Sequence, residues 1–487
     1  MDRKAGILMP VASLPNRFGL GDFGQDAYRF VDDLAEAGFS IWQILPLNPL
    51  GFGNSPYAAF SSFAMDELYI SLDFLTEEGL LDHVPNYLKG MKAIAYHDVR
   101  VFKDQYLHKA FEKFVPDAEY QEFVQQEWLK NYALFMAFKK ANHLFCWLEW
   151  PPKMRDYFEN EEMDLKPYEE QIRYQCFLQY VVLKQWKKLK AYANAKGIAV
   201  MGDIPFYVGH DSADCWSARS NFLLDKNGHP RFIAGVPPDY FSEIGQRWGN
   251  PIYDWEYMQK NGFTFWLNRL GYNKDLFDII RLDHFRAFDT FWKIPSSCPT
   301  AIVGEWIEAP GHEFFDTLFS RYPGINIVAE DLGDLRPEVL QLRDDYNFAG
   351  MNVLQFTFNP DSENEVAKHC LAYTGTHDND TLRSVYHGKS EAEKKKWRRW
   401  FKEHGYEGKN VCEKFLNFAM QCKAEMVIIP MADWLYLGQD GCINHPGTVG
   451  SPDWEWRMPS FAPFEAKLPE IKAMLRKAHR LSGKKDA

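Results

Sequence analysis

Four acidic residues each follow an apolar segment of the sequence, and together they could do chemistry. They are Asp203, Asp283, Glu330 and Asp378. A single acid in such a place is often only the cap of a following helix. Four such acids, accompanied by Arg281, His284 and His377, favour one shared cluster over four independent caps. The sequence therefore predicts a functional site built around carboxylates.

Asp283 is the acid whose surroundings are most informative. The segment 276–282 is mostly apolar, which is typical of a short parallel strand buried on both faces. Arg281 and Asp283 interrupt its end two residues apart, so both side chains point to the same side. Charged side chains are costly to bury there unless they are paired or used. The carboxyl end of a strand is where a (β/α)8 barrel keeps its catalytic groups.

Carboxylates at the mouth of a barrel suit two chemistries. In glycoside chemistry one carboxylate attacks carbon while a second protonates the leaving oxygen. In metal chemistry three acids bind Mg²⁺ or Mn²⁺, as in barrel isomerases and lyases. Arg281 favours the first, because a guanidinium beside Asp283 would keep that carboxylate ionised and would repel a divalent cation. The aromatic content of 16% also favours a sugar groove. A metal-dependent enzyme and a non-catalytic glucan-binding barrel stay open as alternatives.

Eight apolar segments separated by helical patterns predict a closed (β/α)8 barrel, an α/β fold. The predicted strands are 6–10, 41–45, 198–204, 276–282, 325–329, 350–356, 371–376 and 426–429. Between the first two, apolar residues at helical spacing in 27–35 predict a helix that ends at Gly38. A last helix is predicted over 471–481, which leaves little room for a C-terminal β-sandwich domain. We therefore expect a single catalytic barrel over 1–487.

Two intervals are too long for ordinary connections between a strand and a helix. Residues 75–195 are helical, charged and rich in tryptophan, and the long helical tract 169–197 falls at their end. We interpret 75–195 as a mostly helical subdomain inserted after strand 2. We interpret 205–275 as a loop-rich subdomain with a substrate lid, inserted after strand 3, because 235–240 and 245–251 are rich in turn residues.

The composition narrows the classes of partner and the compartment. A net charge of −12 argues against nucleic acid and against an anionic membrane surface. No stretch is long and apolar enough to predict a membrane span, and the start lacks a signal-peptide pattern. The eight cysteines are scattered without a Cys-x-x-Cys pair, which favours free thiols in a reduced, cytoplasmic protein over a zinc site.

Three acid-bearing motifs resemble those of the α-amylase superfamily. They are Arg-Leu-Asp-His-Phe-Arg at 281–286, Ala-Glu-Asp-Leu-Gly at 329–333 and Thr-His-Asp-Asn at 376–379. Four loops are similar to those of 4-α-glucanotransferases of the amylomaltase, or disproportionating enzyme, type in glycoside hydrolase family 77. These loops are 53–57, 202–208, 237–239 and 245–251. The segment 444–450 resembles the family's Pro-Gly-Thr loop, with local differences. The resemblance extends from the first strand to the terminal helix.

The resemblance implies a role for each acid. Asp283 would be the nucleophile, Glu330 the general acid/base, and Asp378 the stabiliser of the transition state. Substrate binding is implied for nine further residues: Tyr57, Asp203, Arg281, His284, His377, Gly249, Asn250, Pro251 and Phe356. Among these, the 249–251 loop would be a lid near the acceptor. Neither a cofactor nor a metal ion is implied.

The resemblance further implies the reaction. Segments of α-1,4-glucan would pass between a maltodextrin donor and an acceptor by a retaining double displacement, through a covalent glycosyl-aspartate. A hydrolase of the same superfamily is the alternative. Ionised Asp283 and Asp378 should raise the pKa of Glu330 and keep it protonated for the first step.

Overall fold

The computed structural model describes residues 3–160, 163–238 and 242–482. Twelve strands occur among them: β1 Lys4–Leu8, β2 Ile41–Gln43, β3 Ala199–Ile204, β4 Phe232–Val236, β5 Gln246–Pro251, β6 Ile279–Leu282, β7 Thr290–Pro295, β8 Glu305–Glu308, β9 Ile327–Ala329, β10 Gly350–Val353, β11 Cys370–Tyr373 and β12 Met426–Pro430. They form one eight-stranded sheet and one four-stranded sheet. Each of the eight predicted strand segments overlaps a strand of the larger sheet.

The larger sheet is a closed parallel barrel. Its strand order is β10-β11-β12-β1-β2-β3-β6-β9, and every pairing is parallel. The two outer strands meet through a parallel bridge between Val328 and Ala349. There the Ala329 amide also donates a hydrogen bond of 2.9 Å to the Ala349 carbonyl. The predicted (β/α)8 barrel is confirmed.

The barrel strands owe their apolar character to burial on both faces. Every residue of β2, β6, β9 and β11 is buried. One close approach requires glycine: a Cβ on Gly202 in β3 would lie 2.2 Å from the Phe277 ring. Phe277 precedes β6, so the small residue lets β3 and β6 bring their last residues side by side.

Twenty α-helices accompany the strands in the described residues. They are α1 Gln25–Ala37, α2 Leu72–Glu77, α3 Tyr96–Lys113, α4 Ala118–Phe123, α5 Glu127–Ala141, α6 Pro152–Arg155, α7 Tyr157–Asn160, α8 Glu169–Ala195, α9 Ala213–Ser217, α10 Trp255–Lys260, α11 Thr264–Leu276, α12 Gly311–Arg321, α13 Pro337–Asp345, α14 Leu354–Thr357, α15 Leu382–Gly388, α16 Glu391–Glu403, α17 Val411–Gln421, α18 Met431–Trp434, α19 Ala462–Glu465 and α20 Leu468–Lys477. As predicted, α1 ends at Gly38, which adopts a left-handed conformation. None of the helices is long and apolar enough to cross a membrane.

The interval between β2 and β3 contains α2 to α8 and no strand in its described part. Helix α5 packs against α8, and aromatic side chains fill the space around them. Phe135 and Phe138 on α5 contact Trp150 and also Trp216 on α9, which follows β3. The helical interval is therefore anchored to the chain beyond β3. Its boundaries at 75–195, like those at 205–275, stay predictions.

The four-stranded sheet was not anticipated from the sequence. Its order is β5-β4-β7-β8, all antiparallel, so that strands from before β6 pair with strands from after it. Residues 246–251 were expected to be a loop, but they form the edge strand β5. An edge strand tolerates glycine and proline, and the register of β5 against β4 shifts between Ile233 and Gly235, as in a bulge.

Candidate active site

The barrel places the predicted charged residues at the carboxyl ends of its strands. Asp203 is the penultimate residue of β3. Arg281 is the penultimate residue of β6, and Asp283 directly follows that strand. Glu330 follows β9 directly, while Asp378 lies in the loop after β11. Because neighbouring parallel strands end at the same rim, side chains that are far apart in the sequence converge there.

Arg281 joins two of the acids. Its Nη1 atom donates hydrogen bonds of 2.7 and 2.8 Å to the two oxygens of Asp203, and one of 2.9 Å to Asp283 Oδ1. The Tyr57 hydroxyl donates to Asp203 Oδ2 at 2.8 Å. Burial acts to lower the pKa of Arg281, but the charges of Asp203 and Asp283 raise it well above its usual value. Arg281 is therefore a permanent cation that holds Asp283 from one side.

Glu330 is held by backbone groups. The amide of His284 donates to its Oε2 at 2.7 Å, and the amide of Leu332 donates to its Oε1 at 3.0 Å. The backbone of Glu330 bonds in turn to Leu282 and Phe285, with both hydrogen bonds at 3.0 Å. These bonds fix the Glu330 carboxyl against the chain that immediately follows Asp283.

The surroundings of Glu330 and Asp283 give the two carboxyl groups different pKa values. Burial, followed by the charge of Asp283, raises the pKa of Glu330 to about 7. Burial also raises the pKa of Asp283 to about 6, and Arg281 opposes this only in part. The raised pKa of Glu330 agrees with the prediction, although burial is a larger cause than the neighbouring charges on which the prediction relied. Near neutral pH Glu330 therefore keeps its proton more readily than Asp283 does.

Asp378 has the opposite electrostatics. Its Oδ1 accepts a hydrogen bond of 2.7 Å from Asn444, and its Oδ2 lies 3.1 Å from His377 Nε2. Although burial acts to raise the pKa of Asp378, His377 and Asn444 lower it to about 2. The Tyr57 ring stacks on His377 at 5.3 Å, with 8° between the planes. Asp378 is thus an ionised carboxylate beside an aromatic wall.

His284 presents a neutral imidazole. Burial and the charge of Arg286 lower its pKa to about 3. Its Nε2 is buried and has no hydrogen-bond partner in the described part of the chain. Trp248 on β5 contacts the ring edge-on at 4.8 Å. The backbone of His284 is left-handed, with φ of 49°, which is uncommon for a residue other than glycine. In this conformation the backbone amide of His284 donates its hydrogen bond to the Glu330 carboxyl group.

Four other predicted binding residues are not tied to the acids by hydrogen bonds. Among the described residues, Gly249, Asn250, Pro251 and Phe356 make no hydrogen bond to the three carboxylates. Asn250 donates to the Val208 carbonyl at 2.9 Å, and this bond ties β5 to the segment after β3.

The structure also corrects two details around these residues. Gly249, Asn250 and Pro251 belong to the edge strand β5 rather than to a loop. Phe356 was expected in a strand, but β10 ends at Val353, and Phe356 lies 61% exposed on α14. Asp239 of the similar loop 237–239 lies outside the described residues, as does Tyr240 of the turn-rich segment 235–240.

Three side chains of this region were missed as site residues. Asn444 holds Asp378, Trp248 contacts His284, and Trp454 lies 5.8 Å from the Tyr57 ring. Trp248 and Asn444 belong to segments that the sequence analysis singled out, and Trp454 lies just beyond one of them. Attention to the neighbours of the matched motifs could have found all three.

The donor set does not suit a catalytic divalent cation. Asp203 and Asp283 share the Arg281 guanidinium, which would repel such an ion. The oxygens of Glu330 accept backbone amides, and Asp378 is paired with His377 and Asn444. The geometry instead offers an ionised carboxylate, a carboxyl group of raised pKa and a fixed cation around one space.

Comparison with known proteins decides the family. A family model described as 4-alpha-glucanotransferase, glycoside hydrolase family 77, matches residues 9–462. The chain belongs to glycoside hydrolase family 77. The family resemblance in the sequence motifs is therefore confirmed, and the match covers every barrel strand after β1 together with the segments inserted between those strands.

Curated relatives of this family 77 member are similar over nearly the whole chain. The 4-alpha-glucanotransferase of Synechocystis sp. is 42% identical over 480 residues, covering 93% of this chain and 94% of the relative. That of Thermus thermophilus is 39% identical over 478 residues, covering 94% and 95%. Among solved structures, the amylomaltase from Streptococcus agalactiae in complex with acarbose superposes with a TM-score of 0.92 at 32% identity, covering 98% of this chain and 100% of that chain.

Proposed function

We propose that this family 77 enzyme transfers α-1,4-glucan segments between maltodextrins by a retaining double displacement. Asp283 is the nucleophile, Glu330 the general acid/base and Asp378 the stabiliser of the transition state. The observation that carries the proposal is the pairing of an Arg281-bound carboxylate with a neighbouring carboxyl group of raised pKa. The curated names of the relatives and the amylomaltase fold support the choice of substrate.

In the first step Asp283 attacks the anomeric carbon of the donor. Arg281 occupies Oδ1 of Asp283, and Oδ2 accepts no hydrogen bond from the described residues, so we assign the attack to Oδ2. Glu330 donates its proton to the glycosidic oxygen as the bond breaks. The shortened sugar chain leaves with that proton, and the donor fragment becomes an ester of Asp283.

The second step reverses the role of Glu330. Formation of the ester removes the negative charge of Asp283, which is one cause of the raised pKa of Glu330. Glu330 then loses its proton more readily and can act as the base for an acceptor hydroxyl. That hydroxyl attacks the anomeric carbon and releases Asp283. The product keeps the configuration of the donor.

The remaining residues would bind and orient the reacting sugar. Asp378 remains ionised and would accept hydrogen bonds from sugar hydroxyls that strengthen in the transition state. The free Nε2 of neutral His284 is a further polar contact for the sugar. We propose substrate contacts for nine residues: Tyr57, Asp203, Arg281, His284, His377, Gly249, Asn250, Pro251 and Phe356.

Transfer rather than hydrolysis requires that an acceptor sugar reach the ester before water does. We propose that β5 shields the site as a lid near the acceptor, with Trp248 beside His284. A Cβ on Gly249 would meet no atom within 4 Å, so the strand leaves open space at that point. The location we propose is the cytoplasm, because the eight cysteines are free and such thiols are typical of reducing compartments.

A product ladder from maltotriose tests the reaction. We expect glucose together with maltotetraose, maltopentaose and longer oligomers. Glucose and maltose without any longer product would identify a hydrolase instead. Exhaustive chelation should leave the rate of transfer undiminished, whereas loss of activity would favour the metal-dependent alternative.

A further inference from the structure

A second cluster of ligand-type side chains lies close to Asp378 and takes no part in the proposed reaction. A carboxylate oxygen of Asp380, the sulfur of Cys442 and a ring nitrogen of His445 lie within 4.8 Å of one another. Asp380 is exposed, His445 is half-buried and Cys442 is buried, so the cluster opens to solvent on one side. Cys442 and His445, which are neighbours in one loop, and Asp380, which comes much earlier in the chain, thus supply three different ligand atoms at one place.

A carboxylate fixes the imidazole ring of His445, as is common for metal-binding histidines. Its Nδ1 lies 2.6 Å from Oδ1 of the buried Asp453. The backbone amide of His445 donates to the same oxygen at 3.1 Å. With the proton held on Nδ1 by a carboxylate, Nε2 is left as the lone-pair nitrogen. A histidine ligand is commonly fixed in this way by an outer carboxylate.

The side-chain amide nitrogen of Gln439 lies between two acceptor atoms of the cluster, where a cation could also bind. Its Nε2 lies 2.7 Å from His445 Nε2 and 3.3 Å from Asp380 Oδ1, so it donates to both acceptors. A cation at this place would satisfy the same two atoms and would also reach the Cys442 sulfur. If the Gln439 amide turned over, its oxygen would become a fourth ligand.

We propose that Asp380, Cys442 and His445 form a zinc site whose occupancy slows the enzyme. A thiolate with an imidazole selects Zn²⁺ over Mg²⁺ or Ca²⁺, which prefer oxygen ligands. Binding displaces the thiol proton to solvent, and the sulfur then coordinates the ion. Bonds of about 2.0–2.3 Å in a tetrahedral centre hold the ligand atoms closer together than 4.8 Å. The three ligand atoms thus lie near enough to one another to reach a single Zn²⁺ ion.

The site is coupled to the reaction through Asn444. This residue lies between Cys442 and His445 and donates to Asp378 at 2.7 Å. The thiol of Cys442 contacts the carbonyls of Asn444 at 3.3 Å and Asn379 at 3.7 Å. A zinc-bound thiolate has no proton to donate and loses both contacts. Loss of these contacts releases the Asn444 backbone and weakens the hold of Asn444 on Asp378.

Metal binding is measured first, without any reference to turnover. Zn²⁺ is titrated calorimetrically, and Co²⁺ serves as an optical probe because a thiolate ligand gives it a charge-transfer absorption. We expect one bound ion per chain with a thiolate signal. Asp380→Asn, Cys442→Ser and His445→Gln should each weaken binding by at least the roughly 10- to 100-fold that loss of an outer-shell partner costs.

The same zinc titration is carried out on a control variant. Cys298→Ser removes a half-buried thiol between β7 and β8 and should bind zinc as the unmodified chain does. Thermal unfolding of each variant verifies that it is folded. Asp380→Asn keeps the test valid if a buried substitution fails to fold, because Asp380 is exposed. Zinc affinity that is unchanged in folded Asp380→Asn and in the other folded ligand variants overturns the site.

The effect on rate is measured second and rests on the proposed function. Zinc should lower kcat for maltotriose in the unmodified chain, and a chelator should restore it. Asp380→Asn should have ordinary activity and resist zinc at the same concentration. Saturated binding without a change in kcat would reject the coupling, as would equal inhibition of Asp380→Asn. A chain that binds zinc but makes no longer oligomers would contradict the proposed function and leave the metal site standing.

Discussion

The backbone amide of His284 donates a hydrogen bond of 2.7 Å to Oε2 of Glu330. His284 directly follows Asp283 in the chain, so this one bond fixes the carboxyl group proposed as acid/base beside the proposed nucleophile. The donor is a backbone amide, so the bond does not depend on the side chain of His284. Arg281 restrains Asp283 from the other direction through Oδ1. The two acids are thus positioned independently, and each can be altered without displacing the other.

The protonation of the two acids predicts a bell-shaped dependence of kcat/KM on pH. The first step needs Glu330 protonated, so the rate falls as pH rises through about 7, far above the ordinary value of 4.5. It also needs Asp283 ionised, so the rate falls as pH drops through about 6. Initial rates with maltotriose across this range measure both limbs. A rate that is constant from the ordinary glutamate range into the alkaline region would contradict the assignment.

Asp203→Asn should affect both stability and the acid limb. The side chains of Arg281 and Asp203 are 4% and 0% exposed, and breaking such a buried pair costs about 3–5 kcal/mol of unfolding free energy. Asp203 also contributes to the raised pKa of Asp283, so its loss should move the acid limb to lower pH. Urea unfolding and the pH profile measure the two effects.

The exposed ion pair between Lys260 and Glu256 provides a matched control for Asp203→Asn. Glu256→Gln also removes one acid from an ion pair, but in water the pair contributes little. This variant should leave both the unfolding midpoint and the pH profile unchanged. Equal destabilisation by the two substitutions would show that the Asp203–Arg281 pair has no special part in the fold.

Asn444→Ala tests the support of Asp378. The hydrogen bond to this ionised carboxylate is worth about 1.5–3 kcal/mol, so its loss should lower kcat about 10- to 100-fold if it acts in the transition state. KM for maltotriose should change less, because Asp378 is proposed to act in the transition state rather than in binding. Asn417→Ala removes an amide on α17 that donates to the backbone carbonyls of Glu407 and Glu413, and it serves as the control. An unchanged kcat in Asn444→Ala would exclude this support.

The barrel could be predicted because its signal is local. Strands buried on both faces are apolar without alternation, and each is followed by a helical pattern, so β6 and β12 stand out from the sequence alone. The small sheet gave no such signal. Its strand β4 pairs with β7 across the intervening β6, and β5 contains Gly249 and Pro251, which are typical of turns. Only the tertiary structure shows that these segments meet.

The acids were found for the same reason, since a strand end is visible in the sequence. Asn444 and Trp248 were missed because they lie in long connections between barrel strands, and the sequence does not show which parts of such connections reach the site. The cluster of Asp380, Cys442 and His445 was missed because one short Cys442–His445 spacing is no metal-site signature by itself, and the third residue, Asp380, lies far from it in the chain. For Glu330, the sequence predicted the direction of the pKa shift but not its main cause. That cause is burial, which also leads the shift of Asp283 and is not visible before the fold is known.

The covalent intermediate is the central claim, and trapping it in Glu330→Gln is the most direct test. With an α-glucosyl fluoride donor, whose leaving group needs little protonation, this variant should form the ester but fail to activate an acceptor. Mass spectrometry of a proteolytic digest should find a hexose on Asp283, and Glu338→Gln, which alters an exposed acid on α13, should turn over without accumulating it. A hexose on any other residue, or no adduct while fluoride is released, would contradict the account.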